Sequence, residues 1–128
     1  MTDSVGMEGT LDMTVERWFS AEQLAGRARI VRDTERRLRR DDAAIIAQYW
    51  RLMAEHDVRA QLAEIGAPTT ALAALQDRST SPERMSELAR GVALGRYAEL
   101  DGPHMIHLSD PGGFAGAVEA HLAWVDGL

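Results

Sequence analysis

Thr69-Thr70-Ala71-Leu72-Ala73-Ala74-Leu75-Gln76-Asp77-Arg78-Ser79-Thr80-Ser81-Pro82 is the stretch on which the fold turns. Its first seven residues form a short, mostly apolar run, stopped by Gly66-Ala67-Pro68 before it and by Gln76 to Thr80 after it. Alanine is a poor strand former, so propensity alone does not decide between strand and helix. Length and flanking breakers favour a buried strand. Ser81-Pro82-Glu83 then starts a helix, with proline in the first turn and Met85, Leu88, Ala89 and Val92 on one face. Arg96 to Leu100 alternates enough to be a second strand. Strand, helix and strand over about 30 residues make a right-handed βαβ unit with parallel strands. The loop from Asp101 to Asp110 leads into a last helix, from Pro111 to about Val125. Its apolar face is Phe114, Ala117, Val118, Leu122 and Trp124 or Val125.

Upstream of Gly66 the grammar is helical. Ser20 is placed to cap a helix with Gln23 as its capping-box partner, and Leu24, Ala28, Val31 and Leu38 recur at helical spacing. Asp41 and Asp42 put negative charge at the start of a second helix, whose stripe of Ile45, Ile46, Tyr49, Trp50 and Met53 reads as a packing face. A third short helix is expected from about Val58 to Ile65, closed by Gly66. The chain therefore divides into a helical segment, 1–66, and a βαβα portion, 67–128. The class is α/β, mostly helical. Two parallel strands alone leave open edges and an uncovered face, so a solitary monomer is not expected.

The 128 residues suffice for one ordinary domain. Apolar residues at 45% and charged residues at 27% are globular proportions. The absence of cysteine excludes disulfides and thiolate chemistry and fits a reducing compartment. No apolar stretch is long enough for a membrane span, and Met1 to Gly6 has neither the basic nor the apolar region of a secretory leader. The expected location is cytoplasmic. A net charge of −6 argues against nucleic acid as the partner. All 14 basic residues are arginine, seven of them between Arg27 and Arg40. With Asp33 and Glu35 among them and no interleaved aromatics for base stacking, that run reads as a solvated helix face.

No Gly-rich phosphate loop, Gly-x-Ser-x-Gly elbow or His-Glu-x-x-His helix occurs. What remains is Asp77, just after the first strand, and His104, just after the second. In a parallel sheet both lie at the carboxyl ends of neighbouring strands, roughly 5 Å apart, within reach of a hydrogen bond. An aspartate that orients one imidazole nitrogen makes the other a general base for a hydroxyl nucleophile. His107 stands three residues from His104, but zinc needs a third ligand that is not nearby. Neither a metal nor a cofactor is expected.

Several segments carry a family resemblance. Thr14-Val15-Glu16-Arg17-Trp18-Phe19-Ser20 resembles the entry into a helical cap, and Val58 to Thr69 resembles the return from it. Asp77 with Thr80 and Pro82 matches an acid-residue loop. Gly102, His104, His107-Leu108 and Asp110-Pro111 match a histidine loop, and Phe114 starts a closing helix. In this order they resemble the C-terminal half of an α/β-hydrolase, and more narrowly its 3-oxoadipate enol-lactonase-like branch. Ala74 and Pro103 stand where that family usually has glycine, and Ser109 replaces a frequent glutamate.

The resemblance implies that Asp77 is the orienting acid and His104 the base of a Ser-His-Asp triad. It implies Trp18, Trp50 and Met105 as substrate-contacting residues, and a small-molecule ester or enol-lactone as substrate. Ser4, Ser20, Ser79, Ser81, Ser86 and Ser109 read as caps, turns or loop positions, so the nucleophile and oxyanion donors are expected outside this chain. The isolated chain is then expected to be inactive, and its partner is a complementary N-terminal hydrolase half or a second copy of itself. The alternative is a truncated, non-catalytic remnant serving as a helical interaction or binding module.

Overall fold

The computed structural model describes residues 8–128. They form two compact units, the first ending at Asp57 and the second spanning Val58–Leu128.

The first unit is helical: α1 (Glu8–Trp18), α2 (Ala21–Ala25), α3 (Arg29–Leu38) and α4 (Ala43–Glu55). Leu11 and Val15 lie one turn apart on α1, and Phe19 continues their row just past its end. All three are buried. Val31 and Leu38 of α3 complete this core, each such side chain contributing about 1.5–3 kcal/mol on burial. Ser20 caps α2 as its spacing predicts: its hydroxyl accepts from Gln23 N–H, and the Gln23 side chain accepts from Ser20 N–H.

The apolar spacing from Ser20 to Leu38 does not continue as one helix. The chain breaks after Ala25, and Arg27 takes a left-handed conformation at φ 43°. That conformation costs a non-glycine residue about 1–2 kcal/mol. The turn brings the Arg27 guanidinium to 3.0 Å from Glu35, a buried carboxylate that Arg39 also approaches, so the buried charge is paired.

Asp42 caps α4, accepting from the N–H groups of Ala44 and Ile45, whereas Asp41 pairs with Arg37. The stripe on α4 is not the packing face its spacing suggests. Ile45, Tyr49, Trp50 and Met53 are exposed, and only Ala47 is buried. An apolar period fixes which residues share a face, not what covers it.

The second unit begins with a 3₁₀ turn, Arg59–Glu64, in place of the expected short α-helix, and Ile65 beyond it is extended. The turn is anchored by Leu62, which packs where a Cβ on Gly91 would sit. β1 (Thr69–Ala74), α5 (Pro82–Gly91) and β2 (Gly95–Leu100) follow, then α6 (Ile106–Ser109) and α7 (Pro111–Asp126). β1 and β2 pair in parallel, Thr69 opposite Gly95 and Ala74 opposite Leu100, in a two-stranded sheet.

α5 packs on both strands, with Ala71, Ala73, Ala89 and Val92 buried. Alanines allow a close approach of helix and sheet, and Gly95 allows a closer one: any Cβ there would run into the carbonyl of Ala89. Facing β1 and β2 on the other side is α7, where His121 Nδ1 lies 2.9 Å from Thr70 Oγ1 and the Arg96 guanidinium stacks 4.8 Å from the Trp124 ring. Asp110 caps α7 by accepting from Gly113 N–H. The helix is apolar nearly all round, yet none of its residues is buried; Phe114, Val118 and Leu122 are 37, 42 and 55% exposed. No helix among the described residues is long and apolar enough to cross a membrane.

Candidate active site

The two loops that leave the sheet are stitched together before either presents a side chain. Leu75 N–H donates to Leu100 O at 3.0 Å, extending the ladder one step, and Gln76 N–H donates to Gly102 O at 2.9 Å. The Gln76 side chain then donates to Asp101 Oδ1. A tight turn, Asp77 N–H to Ala74 O, sets the Asp77 side chain at the carboxyl end of β1. Opposite it, Gly102 and Pro103 are buried. A side chain at 102 would collide with Ile106 of α6, the one-turn helix that the sequence did not predict within this loop. Glycine at 102 lets Ile106 close the loop from beneath, and His104 stands at its bend.

Asp77 and His104 therefore meet: His104 Nδ1 lies 2.8 Å from Asp77 Oδ2, across 27 residues of sequence. The aspartate side chain is 6% exposed and the histidine 30%. Burial alone would raise the Asp77 carboxyl and is the largest single influence on it. Against burial act the hydrogen bonds from His104, from Thr80 N–H and Oγ1–H, and from Ser79 N–H. Together they hold the carboxyl below its ordinary value. An ionised carboxylate only accepts, so His104 must carry its proton on Nδ1. The neutral ring then has its lone pair on Nε2, the arrangement of a general base.

The carboxylate is fully engaged. Oδ1 accepts from Ser79 N–H (2.6 Å) and Thr80 N–H (3.0 Å), while Oδ2 accepts from Thr80 Oγ1–H (2.7 Å) and His104. Thr80 enters the sequence reading only through the resemblance of its loop, and the parts played by Ser79 and Gln76 are not legible there. The signal was there for Thr80, because Asp-x-x-Thr after a strand is the spacing of a side chain that bonds its own following turn.

The remaining expected site residues belong to several elements. Met105 adjoins His104 and is half-buried. Trp18 ends α1 and Trp50 lies on α4, both in the first unit; Trp18 is half-buried and Trp50 exposed. His107 sits edge-on to Phe114, and His121 serves the α7–β1 contact. Ser20 and Ser81 are helix N-caps, Ser86 lies within α5, Ser109 ends α6 and Ser79 belongs to the Asp77 loop. None occupies a sharp strand-to-helix elbow. Ser4 lies outside the described residues.

A parallel strand pair with a buried aspartate and a histidine at its carboxyl edge, following a helical segment, is the fold of the C-terminal half of an α/β-hydrolase. The crystal structure of an enol-lactonase from Burkholderia xenovorans LB400 matches with a TM-score of 0.87 and 24% identity, over 92% of this chain and 45% of that one. A hydrolase from Pseudomonas aeruginosa PA01 matches with a TM-score of 0.86 and 27% identity, over 91% of this chain and 44% of that one. The chain thus spans less than half the length of these structures. No family model and no curated protein matches it.

Proposed function

We propose that this chain supplies the acid and the base of a lactonase- or esterase-like serine hydrolase, working with a complementary half that carries the nucleophile. The observation that carries this is the 2.8 Å contact between His104 Nδ1 and Asp77 Oδ2 at the carboxyl ends of paired parallel strands. His104 Nε2 takes the proton of a serine hydroxyl as it attacks the carbonyl of an ester or enol-lactone. Asp77 holds the ring in the required tautomer and stabilises the imidazolium that forms. The proton passes to the leaving oxygen, and water then repeats the sequence to release the acid. The serine and the backbone N–H groups that hold the oxyanion come from sequence outside these 128 residues. An enol-lactone is the favoured substrate class because the Burkholderia xenovorans neighbour is an enol-lactonase.

The complementary half has a place to dock. Thr69 and Leu75 direct their N–H groups to β2, so by alternation Thr70 and Leu72 direct theirs away from it, along an edge with no third strand among the described residues. β1 is built of small and apolar residues, as a strand buried on both faces is. β2 carries Arg96, Tyr97 and Glu99 exposed, the charged composition of a protected outer edge. On α7, His121 stands against β1 and Trp124 against β2. At about 100° per residue the exposed row Phe114, Val118 and Leu122 then lies further round, on the β1 side. Edge and row together are the proposed docking surface, and the half of the hydrolase fold that this chain does not span is the proposed occupant.

The test begins with the sequence encoded immediately upstream. A segment bearing Gly-x-Ser-x-Gly, co-expressed with this chain, should form a complex that hydrolyses p-nitrophenyl acetate and an enol-lactone. Absence of any such segment, or a complex whose turnover survives His104→Ala, overturns the proposal and favours a non-catalytic interaction module.

A further inference from the structure

Thr80 is the one residue among those contacting Asp77 that holds both carboxylate oxygens, through its N–H on Oδ1 and its hydroxyl on Oδ2. Ser79 reaches only Oδ1 and His104 only Oδ2. Two side-chain donors therefore compete for one oxygen, at 2.7 and 2.8 Å. We infer that Thr80 is a positioning residue of the acid–base pair, whose hydroxyl divides Asp77 Oδ2 between two donors and so sets how strongly the carboxylate holds the His104 Nδ1 proton.

The physical ground is that hydrogen bonds to one acceptor are not independent. A donor already on an oxygen draws off part of the charge that a second donor would meet, and bonds in a network change one another by about 10–30%. The effect matters most where the acceptor is ionised and shielded from water, and the Asp77 side chain is 6% exposed. The loop does not need the hydroxyl in order to stand: the N–H bonds of Ser79 and Thr80 to Oδ1 and the stitch from Gln76 to Gly102 remain without it. Thr80 itself is exposed, so replacing it removes little packing. For catalysis, an aspartate that holds the Nδ1 proton too tightly makes Nε2 more basic, so the imidazolium gives its Nε2 proton to the leaving group less readily. The hydroxyl moderates the pair.

The catalytic consequence rests on the proposed function above. The geometry does not, and its test needs neither nucleophile nor substrate. The 128-residue chain is labelled with ¹⁵N, and the His104 Nδ1 proton is followed in the wild type and in Thr80→Val, Thr80→Ala and Thr80→Ser. With the hydroxyl gone, His104 becomes the sole donor on Oδ2. Its Nδ1 proton should move downfield in the valine and alanine variants and exchange with water about two- to four-fold more slowly. The serine variant, which keeps the hydroxyl, should match the wild type. An unchanged resonance would mean that the oxygen is not shared. An upfield shift or a lost signal would mean that the hydroxyl merely holds the loop. A serine variant that behaves like valine would mean that the methyl group matters instead. Each of the three overturns the inference while leaving the hydrolase proposal to its own assay.

Discussion

Replacing Asp77 with asparagine changes one atom, and the site dictates which way the amide must face. Oδ1 accepts from two main-chain N–H groups, Ser79 at 2.6 Å and Thr80 at 3.0 Å, and neither can become an acceptor. The asparagine oxygen must therefore take the Oδ1 position and its NH₂ the Oδ2 position. There it faces His104 Nδ1 and the Thr80 hydroxyl. The hydroxyl can rotate to accept, but the imidazole can accept only by moving its proton to Nε2. Asp77→Asn thus forces the wrong tautomer without disturbing the loop. In the complemented enzyme that should cost on the order of 10⁴-fold in kcat, the magnitude known for this change in serine proteases.

The same change should lower stability by about 1–2 kcal/mol near neutral pH, since a charge-assisted bond is lost and a desolvated charge is relieved. Folding holds the Asp77 carboxyl below its unfolded value. Its contribution is therefore complete above the unfolded value of about 4 and disappears as pH falls through the folded one. The wild type and the variant should converge in stability at strongly acidic pH. Ring ¹⁵N shifts of His104 report the tautomer, and chemical denaturation across pH reports the linkage. An Asp77→Asn chain that keeps its proton on Nδ1 would refute the reasoning.

Three further outcomes follow from particular contacts. The Tyr97 hydroxyl donates to Glu99 Oε1 at 2.7 Å, and this bond, with partial burial and the charges of Glu99 and Glu83, pushes its pKa up to about 12. Ultraviolet titration of Glu99→Gln should bring that ionisation back toward about 10. Leu122→Asp on the exposed row of α7 should leave the stability of the chain within about 0.5 kcal/mol yet abolish capture of the complementary half in a pull-down. Gly95→Ala should destabilise by about 1–3 kcal/mol in thermal melts, because its Cβ meets the carbonyl of Ala89.

What could be read from sequence is what local chemistry decides. Pro68 and the polar turn after Leu75 bracket β1, Ser81-Pro82 starts α5, and Asp110-Pro111 starts α7, so these elements fall close to where spacing places them. Asp77 and His104 were legible for the same reason, since two parallel strands carry their following residues to one edge. Long-range interactions decide the rest. The break at Arg27 goes with an ion pair to Glu35 eight residues on, and the one-turn α6 goes with Ile106 filling the space beside Gly102. α1 was not foreseen as a helix, because its short apolar row of Leu11, Val15 and Phe19 is recognisable only once α3 packs on it. The α4 stripe shows the converse: a clear pattern that the first unit's own core does not cover.

The central claim is that His104 is the base of a hydrolytic triad shared between this chain and a complementary half. The most direct measurement is kcat/KM for ester and enol-lactone hydrolysis by the purified complex, comparing wild type, His104→Ala and His107→Ala at equal occupancy of both chains. Loss of about 10³- to 10⁴-fold for His104→Ala, with His107→Ala close to wild type, is the predicted result. Equal activity in all three complexes would contradict it.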